Sequence, residues 1–173
     1  MKFTVVIFTL ILAACLTACG TLTPVSAAES FLDACVDYDE GRMLEVCPTM
    51  QLRADDAPIF ARMTFSVGEA TEVMENIAEV SVTVTAPDVP KLYAEAAAMA
   101  AGDAIAAMIS PEKDAAGLSQ TLAELAAAED APMKTSVITL RLQKSGMGWS
   151  VSTADELTAA IFGDAITAIR SFT

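Results

Sequence analysis

The chain predicts an α+β domain, on three observations. Val80, Val82 and Val84 alternate with Ser81, Thr83 and Thr85, and Ile138, Leu140 and Leu142 alternate with Thr139, Arg141 and Gln143. A period of two with apolar residues on one side is a strand with one buried face. Ala28, Phe31, Leu32, Cys35 and Val36 recur instead at helical spacing, as do Leu157, Ile161, Ala165 and Ile169. Helical segments precede, separate and follow the strand pairs, which is an α+β order and not a repeating βαβ one.

The N-terminus is a separate unit. Met1 and Lys2 give a short positive start, and Phe3 to Leu12 form an apolar run interrupted only by Thr4 and Thr9. Leu16-Thr17-Ala18 then leads into Cys19 where that run stops. Small residues at the last two positions let an extended backbone enter a peptidase site closely. An ordinary signal peptide would instead be cut after a small-x-small site such as Ser26-Ala27-Ala28. The run is also shorter than the ~20 apolar residues of a transmembrane helix. Leu16-Thr17-Ala18-Cys19 reads as a lipobox, and here the chain resembles bacterial lipoprotein precursors. The resemblance implies cleavage before Cys19, a diacylglycerol thioether on Cys19 and a palmitate-type acyl chain on the new amine. Two chains anchor stably where one is marginal, each buried methylene contributing about 0.8 kcal/mol. The expected organisation is a signal peptide over 1–18, a short lipidated tether over 19–23 and a single α+β domain over 24–173. Five extended residues reach at most ~18 Å, so the domain is expected close to the membrane.

Composition narrows the function. Beyond the signal peptide, nine Lys and Arg stand against 23 Asp and Glu, a net charge of −14 on 155 residues. A charge of that sign repels nucleic acid and anionic headgroups, which argues against nucleic acid as a partner. There is no His. After lipidation Cys35 and Cys47 are the remaining thiols, too few for the usual zinc sites, so no metal is expected. Two cysteines in an exported domain predict a disulfide. Each lies six residues from Gly41. With Gly41 as a hairpin turn the two would stand opposite, and closing the loop would contribute roughly 3 kcal/mol. The C-x11-C spacing lacks the adjacent-thiol geometry of a redox motif.

The elements follow in order. Thr23-Pro24 opens the first helix, with Ser26 and Glu29 as an alternative capping box, and Asp37 to Gly41 ends it. Arg42 to Met50 is a second short helix. Residues 62–75 and 78–86 are paired strands, with Gly68 a bulge candidate. Lys91 to Ile109 is an alanine-rich helix, and Ser110-Pro111 caps another that carries Leu118, Leu122 and Leu125. These two form a packed helical insertion or, on a sharper reading, a mobile lid. Lys134 to Lys144, a Ser145–Gly148 loop and Trp149-Ser150-Val151 form a second hairpin. A last helix starts at Ala154, capped by Thr153 with Glu156 three residues on.

No catalytic constellation stands out. The acidic turn Asp37-Tyr38-Asp39-Glu40 lacks the remaining ligands of a calcium loop and reads as solvated, as does Asp55-Asp56. No G-x-S-x-G, Walker loop or H-E-x-x-H is present. Tyr38, Tyr93 and Asp103 are the acid–base residues an enzyme would have to use without His. Met63, Phe65 and Trp149 could line a hollow for an apolar ligand, although at strand spacing such residues are commonly core.

Several segments together resemble small bacterial surface lipoproteins with a nuclear transport factor 2-like, cystatin-like domain. They are the lipobox, Glu29-Ser30-Phe31-Leu32-Asp33-Ala34-Cys35 with its Asp39-Glu40-Gly41 turn, Val80–Thr85 running into Pro87-Asp88, and Gly148-Trp149-Ser150-Val151. The resemblance implies a curved antiparallel sheet wrapped around the N-terminal helix, a helical insertion between two β-hairpins and a C-terminal helix. The expectation is a non-enzymatic binding or interaction module without a cofactor, anchored by lipid to the outer face of the cell membrane, or to the outer membrane where there is one. Its partner would be a small apolar ligand or an envelope protein. A structural or accessory envelope role, and acid–base chemistry in a conical cavity, are the alternatives.

Overall fold

The computed structural model describes residues 23–51, 53, 56–109, 117–146 and 148–163, with the side chains of 103–109 left aside. Cys15, Cys19 and the Ser110-Pro111 cap lie outside the described residues.

Helix α1, Pro24–Asp37, begins where Thr23 predicts it. The Thr23 side chain accepts from the Ser26 N–H at 3.1 Å, and Ser26 Oγ accepts from the Thr23 N–H at 2.9 Å. Thr23 is therefore the cap, with Ser26 as its reciprocal partner, and the alternative box of Ser26 with Glu29 is not the one formed. One face of α1 is buried, with Phe31, Leu32 and Cys35 all at 0 % exposure. The helix ends at Tyr38, a left-handed residue at φ 51°, and the Asp39 N–H returns to the Ala34 carbonyl at 2.9 Å. A left-handed helix ending ordinarily selects Gly. Here tertiary contacts hold tyrosine in that place: its hydroxyl donates to the Arg53 carbonyl, and its ring lies 6.0 Å from that of Phe60.

Gly41 is consequently not the turn. It sits inside α2, Glu40–Val46, whose N-cap Asp39 accepts from the Arg42 N–H at 3.1 Å. A one-turn helix α3, Ala57–Phe60, follows, an element too short to show a period in the sequence.

Strands β1, Thr64–Met74, and β2, Ile77–Pro87, form the first antiparallel hairpin. Its register breaks between Val67 and Ala70, at the Gly68 bulge. Helices α4, Val89–Ile109, and α5, Leu118–Ala127, pack on each other before the second hairpin. That hairpin is β3, Met133–Ser145, with β4, Gly148–Val151, and Gly146 in its turn has φ 61°. The four strands make one open antiparallel sheet in the order β1-β2-β3-β4. The fold is α+β, with six helices among the described residues.

The inner face of the sheet carries Val80, Val82 and Val84 of β2 and Ile138, Leu140 and Leu142 of β3, all buried. Helix α1 crosses this face and touches both β1 and β4. Helix α6, Asp155–Phe162, packs against β2 and β3 and buries Leu157, Ile161 and Phe162. Phe162 meets Phe60 edge-on at 6.1 Å. The predicted Thr153–Glu156 capping box is not formed. Thr153 Oγ1 accepts from the Asp155 N–H at 3.2 Å, and the Glu156 carboxylate reaches out to the Thr139 N–H of β3 at 2.7 Å. The charge-assisted bond satisfies an edge N–H that β4 does not reach and ties the start of α6 to β3. None of the described helices is long and apolar enough to cross a membrane.

Candidate functional site

The two cysteines come from adjoining elements. Cys35 lies on the buried face of α1, and Cys47 is the C-cap of α2, its N–H bonded to the Met43 carbonyl at 2.8 Å. Both are fully buried in one apolar cluster, and both are free thiols in the structure. Cys47 Sγ lies 3.5 Å from the Thr49 hydroxyl, which in turn donates to the Ser152 carbonyl at 3.2 Å. Burial pushes both thiols above their ordinary range. For Cys35 the proximity of Cys47 adds to the shift, while at Cys47 the Thr49 hydrogen bonds oppose it. The pair is thus close, neutral and shielded. The turn that brings them together is Tyr38-Asp39 and not Gly41, which lies inside α2, although the cysteines do share a core.

The three residues expected to line a hollow separate into two groups. Met63 is buried just before β1, and Phe65 points inward from β1 opposite Val84. Trp149 is on β4 opposite Lys144, whose Nζ stands 5.8 Å from the indole centroid. Val84 pairs with Ser136, so the two positions project onto β3 eight residues apart, about 27 Å at ~3.4 Å per residue. They are also three strand spacings apart across the sheet, about 14 Å. Phe65 and Trp149 therefore occupy diagonal corners of the sheet, about 30 Å apart. A 14-residue helix is ~21 Å long, and α1 fills much of the span between them with Phe31 and Leu32. These residues act as anchors at the two ends of the core and do not surround one ligand.

The acid–base candidates do not assemble either. Tyr38 is committed to the Arg53 carbonyl, whereas Tyr93 is 36 % exposed on α4. Asp103 belongs to the far end of the same helix. Among the described residues no group of three or more His, Cys, Asp or Glu is placed to hold a metal ion. The sequence reading missed one feature. Asp56, expected in a solvated turn, is 3 % exposed where the chain enters α3, its N–H bonded to the Arg53 carbonyl at 2.9 Å. Its only sequence signal is Pro58 two residues on, which suits a helix start. Comparison with known proteins finds no matching family model, no matching curated protein and no matching solved structure.

Proposed function

We propose that the chain is a lipid-anchored extracytoplasmic protein, held at the outer face of a bacterial membrane, whose folded domain is a non-enzymatic binding or interaction module. The observation that carries this reading is Leu16-Thr17-Ala18-Cys19 at the point where the apolar run stops. It is supported by the capped start of α1 at Thr23, which leaves three residues between Cys19 and the helix cap. Covalent diacylglycerol and acyl chains on Cys19 are the membrane contact. The nuclear transport factor 2-like arrangement, with the sheet curving around α1, belongs to the same proposal. Its support is the position of α1 on the inner face and of the helical pair between the hairpins.

A protein of the envelope is favoured over a small apolar ligand as the partner, because Phe31 and Leu32 fill the inner face where such a ligand would lie. That same filling supports the structural or accessory role as a second reading. Export also places Cys35 and Cys47 where a disulfide forms, and their shared burial supports the pairing.

Labelled palmitate fed to cells making the protein is expected to enter the wild type and not Cys19→Ser, which should remain an uncut precursor. Label in the Cys19→Ser protein would sink the anchor. Native mass spectrometry of the detergent-extracted chain is expected to show lipid-modified protein alone. An added small-molecule mass that leaves on denaturation would reverse the preference for a protein partner.

A further inference from the structure

The two edges of the sheet differ in what closes them. At the β4 side, β4 covers β3 from Leu142 to Ser145. Beyond it the Ser152 N–H donates to the Arg141 carbonyl at 2.8 Å, and Glu156 accepts from the Thr139 N–H at 2.7 Å. Odd-numbered residues of β3 therefore turn their backbone groups to this edge. The Thr85–Thr135 pair agrees, since its hydroxyls approach to 2.8 Å, as side chains do in a pair that exchanges no backbone bonds. By the same parity Met133, Thr135 and Val137 present their backbone groups outward, and among the described residues none pairs with them. Val137 is 71 % exposed and Met133 40 %.

We propose that Met133–Val137 is a docking strand for a second copy of this chain, the two β3 strands pairing antiparallel about a two-fold axis at Thr135. In that register Met133 of one copy stands opposite Val137 of the other, and the two exposed apolar side chains of this edge cover each other. Thr135 meets itself. Lys134, the charge on this stretch, falls opposite Ser136 and not opposite its own copy. β3 runs in unbroken register against β2 from Ile77 to Pro87, so no bulge interrupts this edge. Glu156 sets the limit of the added strand by occupying Thr139. The opposite edge is unsuited to self-pairing: β1 has two register breaks and carries Glu69 and Glu72 without a basic residue, which are recognised devices against strand addition. The new contact is one short strand pair, well below the ~800 Å² per partner of a standard stable interface, so association is weak in solution and favoured when copies are concentrated. The inference does not depend on the lipid anchor.

The test is Thr135→Cys in the full chain, purified in detergent and treated with a short bis-maleimide. The expected product is a covalent dimer whose linked peptide joins residue 135 to residue 135, with Thr71→Cys on β1 giving at least tenfold less. Adding Val137→Lys and Met133→Lys to Thr135→Cys should cut the yield at least fivefold while leaving the melting temperature within a few degrees. Equal yields from Thr135→Cys and Thr71→Cys would overturn the proposal, and so would undiminished dimer in the double-lysine variant. A linked peptide joining residue 135 to a different protein in whole-cell crosslinking, with no self-linked product, would assign the edge to another occupant and equally overturn it.

Discussion

Truncating Phe31 to alanine tests the central feature of the fold, that α1 fills the inner face of the sheet. Phe31 is fully buried in the middle of α1, in the same apolar cluster as the inner-face residues of β2 and β3. Removing a buried phenyl ring loses its transfer free energy and leaves a cavity, together about 3–5 kcal/mol. For a domain of this size each kcal/mol lowers the midpoint by about 2–4 °C, so a fall of roughly 6–20 °C is expected in a thermal melt. Strands on one side and helix on the other restrain collapse, so the site should remain an apolar cavity able to take benzene. Benzene at ten times its Kd would then restore roughly 1.4 kcal/mol to the variant and nothing to the wild type. A loss below ~1 kcal/mol would place Phe31 outside the core and refute the packing. Stabilisation of the wild type by benzene would show that α1 leaves a hollow, and would reopen the small-ligand reading.

Two further outcomes follow from local features. Burial raises both thiols above the ordinary value of 9.0, so the reduced fold holds protons that the unfolded chain releases. Reduced protein should therefore keep full stability below about pH 9 and lose it as the pH rises further, whereas protein with a Cys35–Cys47 disulfide has no thiol proton to release. Urea titrations of both forms between pH 7 and 10.5 would show this, and parallel curves would mean that the thiols are exposed. Gly163 has φ 76° and ψ 155°, and a Cβ placed there would stand 2.9 Å from Pro90 Cγ. Gly163→Ala should cost about 1–3 kcal/mol in backbone strain and contact; a neutral denaturation midpoint would mean that α6 ends in another conformation.

Local rules account for the parts of the fold that were legible. The β2 and β3 strands, the Gly68 bulge, the start of α1 and the buried stripe of α1 each depend on residues within a few positions of one another. The features that depart from the sequence pattern depend on distant groups. Gly41 has the composition of a helix stop, but Tyr38 takes that role because Arg53 and Phe60 hold it. Glu156 has the spacing of a capping residue, but the β3 edge claims its carboxylate. Asp56 reads as a surface residue until the chain folds over it.

The candidate site divides in the same way. The proposed lipobox would be read in an extended chain, so its meaning would be carried by consecutive residues and need no fold. The pattern of alternation likewise determines which side chains face inward, because the strand period is two whatever the partner. Strand order is different, since it depends on which edges meet after the turns and helices between them have been placed. Only that order puts Phe65 and Trp149 at opposite corners and, among the described residues, leaves Met133–Val137 as a stretch of β3 with no strand beside it.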